Sequence, residues 1–194
     1  MNTTISRRVV LGVGALTVAC VGVAGIASSA LFTDTDTSSG NSFTAGTVDI
    51  NSGGGTAVFT VANLAPGDVN YGKIPVANDG SLQLRYAVTS SSTNTDSKAL
   101  AAQLDTKVVS IASNATCNAA AVAAGTAIFD GKLGSLALGN TGAGSQAGDR
   151  VLNAAASEAL CLSVSFPAVS GNSYQAATTS TTVTFAAEQT ANNA

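Results

Sequence analysis

Alternation of apolar and polar residues is the feature that most restricts the folds open to this chain. Residues 82–89 (LQLRYAVT) and 160–166 (LCLSVSF) alternate, and residues 182–186 do so again near the C-terminus. A period of two places successive side chains on opposite faces, as in a half-buried β-strand. Shorter runs of the same kind predict further strands at 43–50, 56–62, 73–77 and 107–112.

Turn-forming residues separate these runs, as an antiparallel sandwich requires. Glycines and small polar residues fill 51–55, proline and glycine lie within 65–68, and Asn, Asp and Gly follow one another at 78–80. These three residue types tolerate positive φ angles, so residues 78–81 are predicted to form a tight turn. Regularly spaced short strands predict an all-β fold, a jelly-roll-like β-sandwich spanning residues 43–188.

Three stretches lack the alternation. Residues 96–104 (DSKALAAQL) predict a short helix between strands, and residues 114–156 are rich in alanine and glycine. We expect long loops over 114–156, around one or two weak strands such as 127–129. Residues 189–194 end the chain without a pattern, and we expect a frayed tail there.

The first thirty residues have the parts of a signal peptide. A short polar start ends in two arginines, an uncharged apolar run covers 9–26, and small residues follow. That order is typical of a segment that directs export, folds as a helix and is then removed. Ser28 and Ala30 suit the positions before the cut, which places cleavage between Ala30 and Leu31; a cut after Ala27 is the alternative. We therefore predict a secreted protein with residues 1–30 removed by a signal peptidase.

The same segment allows three other interpretations. The apolar run is near the lower limit for crossing a bilayer, which would make it a permanent anchor. Cys20 could mark a lipoprotein, although the residue three positions earlier, Thr17, suits that poorly. Residues 6–11 partly match a twin-arginine export signal.

Composition limits the partners of the exported part. Without Arg7 and Arg8, six basic side chains remain against eleven acidic ones. Binding nucleic acid or an anionic membrane surface requires clustered Lys and Arg, so neither partner is expected. Only 5% of residues are aromatic and tryptophan is absent, so the core must be thin and built from Val, Leu, Ile and Ala.

The cysteines predict one disulfide. With Cys20 in the signal segment, Cys117 and Cys161 form an even pair in an oxidising compartment. Two free thiols are the alternative, and a zinc site would be short of ligands. Within 160–166 Cys161 faces away from Leu160 and Leu162, so the bridge is expected to tie down a surface loop outside the main core.

The residues offer little for catalysis or for cofactors. The chain has no histidine, which excludes Ser-His-Asp and Cys-His catalysis and the HExxH zinc motif. Hydrolysis by two carboxylates is conceivable, but no pattern singles out a pair. Residues 139–144 lack the Lys-Ser/Thr ending of a phosphate loop. We therefore assign no catalytic residue and no cofactor.

A possible calcium loop lies at 34–40. Asp34 and Asp36 are spaced like the first two ligands of a twelve-residue EF-hand calcium loop. Gly40, however, lies one position later than the glycine of that loop, and Ala45, at its twelfth position, offers no carboxylate. A turn capped by the two aspartates is therefore the preferred interpretation, and no metal site is assigned.

Several segments resemble one known family. Residues 30–35 (ALFTDT) and 43–50 (FTAGTVDI) resemble the cleavage junction and first strand of the TasA/camelysin family. Residues 64–68 (LAPGD) and 78–82 (NDGSL) are similar to two further family segments. The resemblance covers residues 1–90 and is weak beyond them.

The resemblance implies a jelly-roll-like sandwich, SipW-type processing and a role in extracellular matrix or biofilm fibres. Some members carry a metallopeptidase label, but without histidine we expect no protease activity here. A monomeric surface-binding module and a camelysin-type endopeptidase are the alternatives to a fibre subunit.

Cleavage after Ala30 also suggests how fibres would form. Residues 31–42 would be an N-terminal linker, and Leu31, Phe32, Thr33, Asp34 and Thr35 a candidate donor strand that pairs with a sheet edge of the next subunit. Such head-to-tail pairing does not close, so it would propagate into a filament. In the alternative, Leu31 and Phe32 pack on their own domain.

Overall fold

A computed structural model describes residues 45–53 and 63–193 of the 194-residue chain. The chain divides into two units, Met1–Ala45 and Gly46–Ala194, and the fold described below is that of the second. The predicted strand at 56–62 lies outside the described residues, as do the signal segment and the candidate donor strand.

Strands dominate the described residues, with two short helices between them. The strands are β1 (Ile50–Asn51), β2 (Val69–Asn78), β3 (Leu84–Ser92), β4 (Asp105–Ala112), β5 (Ala127–Lys132), β6 (Ala137–Leu138), β7 (Arg150–Leu152), β8 (Ser157–Ser165) and β9 (Thr181–Gln189). The helices are α1 (Leu100–Gln103) and α2 (Ala119–Ala124), and single 3₁₀ turns cover Leu133–Ser135 and Asn172–Tyr174.

These strands form two antiparallel sheets. The first has the order β1-β2-β8-β4-β5. In the second, β3 pairs with β9 along its whole length, and with β6 and β7 through different residues. The predicted all-β sandwich is confirmed.

The main core lies between the two sheets. Apart from Leu136, which precedes β6, its buried residues come from the inward faces of strands in both sheets: Ile74, Val76, Leu84, Tyr86, Val88, Val108, Leu136, Leu138, Leu152, Leu160 and Leu162. Tyr86 is the only aromatic residue among them, as the composition predicts for a thin core. A second cluster under α1 combines Leu100, Leu104, Leu133, Val164 and Phe166.

The turn predicted at 78–81 is a corner between the sheets, because β2 and β3 belong to different sheets. The Asn78 side chain is buried; its Nδ2 donates to the carbonyls of Leu82 (2.8 Å) and Leu152 (3.1 Å), and its Oδ1 accepts from the Gly80 amide (3.0 Å). The proposed reason for the turn was wrong, since no residue from 78 to 81 has a positive φ. Glycine is required at position 80 for a steric reason instead, because a Cβ there would clash with the backbone of Thr47 and Asp49.

The strand predicted at 43–50 is largely irregular where it is described. Residues 45–49 are in no strand, and only Ile50–Asn51 pairs with β2. The reason is that this segment bonds to the corner: the Asp79 amide donates to Asp49 O (2.9 Å), and the Ser81 amide to Thr47 O (3.1 Å).

The predicted helix at 96–104 shrinks to the four residues of α1. Its first half is drawn into a turn, because Asp96 accepts hydrogen bonds from the amides of Lys98 (3.0 Å) and Thr178 (2.7 Å). Ser97 and Ala99 have positive φ angles, which an α-helix excludes.

Residues 114–156 contain more regular structure than expected. They hold α2, β5, β6 and β7, of which only part of β5 was predicted. Asn118 is the N-cap residue of helix α2, and its side-chain Oδ1 accepts from the Ala121 amide at 2.9 Å.

The predicted frayed tail at 189–194 is ordered where it is described. Gln189 is the last residue of β9, the Thr190 amide donates to Gln83 O (3.1 Å), and Arg85 donates to the Asn193 carbonyl. These partners lie on or beside β3, which the sequence could not reveal.

We predict that Gly80→Ala destabilises the domain by about 2 kcal/mol, through overpacking. A Cβ at Gly80 would lie 2.4 Å from Thr47 O and 2.8 Å from the Asp49 amide nitrogen, and both neighbours are backbone. Urea denaturation measures the change. Gly171→Ala is the matched control, because a Cβ there meets nothing within 4 Å. Equal effects of the two substitutions would contradict the steric explanation.

Candidate functional site

The outer edge of β9 is the most distinctive surface of the sandwich. Among the described residues β9 pairs only with β3, so its other edge has no strand beside it in that part of the chain. The pairing with β3 runs from Ser92↔Thr181 to Leu84↔Gln189 without a register shift. A long, regular edge of this kind offers a row of backbone donors and acceptors to another strand.

The inward side chains of β9 are only half-buried. Val183, Phe185 and Ala187 pack against the main core without being enclosed by it. The Phe185 ring lies 5.9 Å from the ring of the buried Tyr86. A further strand beside β9 would cover these apolar side chains, and the buried area would stabilise the pairing by roughly 25 cal/mol per Å².

The edge strand β5 is protected in ways that β9 is not. Its pairing with β4 shifts register between Val108 and Val109, a bulge that twists the edge. Asp130, Gly131 and Lys132 occupy its second half, and charges and glycine both oppose further pairing. Residues 181–187 of β9 carry no charge, proline or glycine.

A loop secures the C-terminal end of β9 from the outer face of its sheet. The Gly144 amide donates to Glu188 Oε1 (2.9 Å), which also accepts from Arg85 Nε (2.7 Å). Asp149 shapes the loop by accepting from the amides of Asn140 (2.9 Å) and Gln146 (2.9 Å). The loop therefore fixes the C-terminal end of β9 to β3.

A polar cluster joins the two sheets beside the main core. Glu158 on β8 accepts from Arg150 Nε (2.9 Å), from the Tyr86 hydroxyl (2.8 Å) and from Ser110. Arg150 and Tyr86 belong to one sheet, and Glu158 and Ser110 to the other. The side chains of Arg150 and Glu158 are 23% and 12% exposed, so the pair is largely shielded from water.

The cluster shifts the ionisation of its members. Burial acts to raise the pKa of Glu158, but the hydrogen bonds from Arg150, Ser110 and Tyr86 outweigh it and lower that pKa below its ordinary value. Hydrogen bonding to Glu158 raises the pKa of Arg150. Burial, followed by the charge of Glu158, raises the pKa of Tyr86 well above its ordinary value. Both carboxylate oxygens of Glu158 are occupied, so the cluster is suited to holding the sheets together.

The predicted disulfide between Cys117 and Cys161 is present, with their Cα atoms 5.2 Å apart. Cys161 is fully buried against Val109 and Val122, in a small cluster on the sheet face opposite Leu160 and Leu162. The bridge thus ties the segment before α2 to β8, outside the main core, as the alternation predicts.

Other predicted site residues lie outside the described part of the chain. These are the cleavage junction Ala30–Leu31, the donor strand 31–35, and Asp34 and Asp36 of the calcium loop. In the described ranges, no helix has the length and apolar character to cross a membrane. Within the same ranges, no three or more acidic or cysteine side chains are grouped so that they could hold a metal ion.

A family comparison covers all the segments that resemble known motifs. The sequence model of the family described as camelysin metallo-endopeptidase matches residues 4–194. The chain belongs to the camelysin family. No curated protein matches the chain.

Two of the family-like segments meet at the corner. Thr47 and Asp49 of the first accept hydrogen bonds from 79–82 of the second, so these motifs are structural in this camelysin-family chain. The LAPGD segment forms a turn with a positive φ at Gly67, closed by the Ala65 amide donating to the Asp68 carboxylate (2.8 Å).

We predict that Glu158→Gln lowers the free energy of unfolding by about 3 kcal/mol at pH 7, because it leaves Arg150 shielded without a counter-charge. The folded-state pKa of Glu158 is lowered. Its contribution is therefore complete above the unfolded value of about 4.3 and declines as the pH falls through the folded-state pKa. The difference between the two proteins, measured by urea denaturation, should shrink below that pH.

Asp105→Asn is the matched control for this substitution. Asp105 pairs with Lys132 in an ion pair whose side chains are 53% and 42% exposed. Such a pair contributes at most about 1 kcal/mol. A loss at Glu158 no larger than the loss at Asp105 would contradict the stabilising role of the inter-sheet cluster.

Proposed function

We propose that this protein is an exported structural subunit of an extracellular fibre. In this proposal the new N-terminus of one molecule, Leu31 to Thr35, adds as a strand to the β9 edge of the next. The observation that carries it is the long, uncharged edge of β9 with its half-buried inward side chains. Export is supported by the signal-like residues 1–30, with release from the membrane after cleavage.

The donor sequence suits this edge. In an extended strand Leu31, Thr33 and Thr35 lie on one face, and Phe32 and Asp34 lie on the other. Only the first face is free of charge, so it is the face that would pack beside Val183 and Phe185. Backbone hydrogen bonds would supply affinity and Leu31 would supply apolar contact.

Such an assembly does not close into a ring. Donor and acceptor are different surfaces of one chain, so each added molecule presents a fresh β9 edge. The β5 edge has a bulge and charged residues, which disfavour competing lateral pairing. Repetition of a single contact then yields a filament.

Deletion of residues 31–35 from the processed protein should leave a folded monomer that forms no fibres. Ala187→Lys should have the same effect, because it places a charge among the inward side chains at the β9 edge. Ala127→Lys, on the exposed surface of β5, is the matched control and should assemble normally. Electron microscopy and size-exclusion chromatography measure assembly, and circular dichroism confirms folding.

Either of two results would refute the proposal: fibres that persist after the deletion, or assembly that is lost in Ala127→Lys but kept in Ala187→Lys. A stable monomer from the intact processed chain would favour a monomeric surface-binding module instead.

We further propose that the chain is not a peptidase, despite the family description. A metallopeptidase centre needs ligands such as histidine, and the sequence contains none. In the described part of the chain the acidic side chains do not gather into a metal-sized group, and both cysteines there are joined in the disulfide. The residues present do not fit a catalytic zinc ion.

Purified processed protein should therefore leave casein intact when zinc is added. Gel electrophoresis of casein over time measures cleavage, and a zinc protease serves as the positive control. Cleavage that a chelator abolishes would overturn this prediction.

A further inference from the structure

The segment from Ser113 to Gly125 covers part of the outer face of the first sheet. It runs from the end of β4 through Cys117 and α2, and we call it the α2 cover. Two attachments hold its beginning. Lys73 Nζ donates to the carbonyls of Ser113 (2.6 Å) and Ala115 (2.9 Å), and Cys117 is bonded to Cys161 on β8.

The contact between the α2 cover and the sheet is small. Within α2 only Val122 is buried, and it meets Val109 and Cys161. An isolated helix of six residues is unstable in water, so α2 depends on being held against the sheet. At Gly125 an added Cβ would lie 2.8 Å from Val109 Cβ, which shows how closely the cover approaches the sheet.

The main core does not depend on the α2 cover. Cys161 and Val109 lie on the outer face, whereas Leu160, Leu162 and Val108 face the other sheet. The pairing of β8 with β2 and β4 continues on both sides of Cys161. Removal of the cover therefore leaves the two-sheet core intact.

The two sulfurs of the disulfide differ in access. Cys161 has an exposed fraction of 0%, whereas Cys117 is half-buried in the loop before α2. Of the two cysteines, Cys117 is the one with solvent-exposed surface, so its Sγ is the expected point of attack by a thiolate. That attack breaks the S–S bond, forms a mixed disulfide on Cys117 and releases Cys161 as a thiolate, which takes up a proton.

A dithiol reductant completes the reaction. Its second thiol attacks the mixed disulfide, releases Cys117 as a thiol and leaves the reductant as a disulfide. The reductant thus supplies two electrons and two protons, and the protein gains two thiols.

We propose that the Cys117–Cys161 disulfide is a redox-sensitive latch on the α2 cover. Oxidation holds α2 on the first sheet; reduction releases it and exposes Val109 and its neighbours while the sandwich stays folded. The latch would let the redox state of the surroundings control an apolar patch on the outside of the domain.

Hydrogen exchange with mass spectrometry tests the latch on the full exported chain, before and after reduction with dithiothreitol. The amides of Ala121, Val122 and Gly125 bond within the cover, at 2.9, 3.1 and 3.0 Å. Their exchange should accelerate at least tenfold on reduction, while exchange along β8 remains slow. Alkylation of both cysteines confirms that reduction is complete.

The variant C117S/C161S should show fast exchange in the cover without reductant and no further change with it. Asn118→Ala, which removes the helix cap and keeps the disulfide, is the matched control and should show a smaller acceleration that reduction then increases. Three results would overturn the latch: unchanged protection of α2 after full reduction, simultaneous loss of protection along β8, or resistance of the native disulfide to dithiothreitol.

Discussion

The side chain of Asn78 holds the corner at which the chain leaves one sheet and enters the other. Its amide group donates to Leu82 and Leu152, and its oxygen accepts from Gly80, so all its hydrogen-bonding sites but one oxygen lone pair are used. The backbone of Asn78 also pairs with Ala155 and Ala156 in the turn before β8. Because the corner sends β3 into the second sheet, both edges of β3 become available to β9, β6 and β7. The sandwich depends on that change of sheet.

The strands that the sequence predicts best are long ones whose apolar residues alternate, namely β3, β8 and β9. Their burial alternates less than their sequence does, because residues 84–88 of β3 and 159–162 of β8 are buried on both faces. β6 and β7 have two and three residues, too few to show a period, and they are strands because β3 lies beside them. Helix α2 could have been found, since Asn118 before AAAVAA is an N-cap followed by strong helix formers. The alanine and glycine content of 114–156 conceals this signal, because the same composition is typical of loops.

The charged groups show where sequence reasoning reaches its limit. Arg85 alternates with Leu84 and Tyr86, which predicts a solvent-exposed side chain, yet its side chain is only 7% exposed. Glu188, which is distant in sequence, pairs with Arg85, and the loop over 139–149 covers the pair. Arg150 and Glu158 likewise meet Tyr86 and Ser110 only because the two sheets face each other. The disulfide could be predicted because only two cysteines follow the signal segment. Their pairing follows from this number alone, without knowledge of the strand order.

The lack of a second strand beside β9 in the described part of the chain likewise follows from topology, and the residues around β9 decide whether a strand can be added there. A strand can be added to β9 only if β9 itself stays attached to the sheet. The contacts that attach β9 must therefore lie away from the edge at which the new strand would pair. Arg85 and the Gly144 amide provide this by binding Glu188 from the outer face, and β3 provides it through nine paired residues. In the proposed assembly, the backbone groups along 181–187 that lack a strand partner among the described residues would then take the donor strand without displacing β9. The bulge and charges of β5 disfavour the same reaction at the edge of the first sheet that β5 forms.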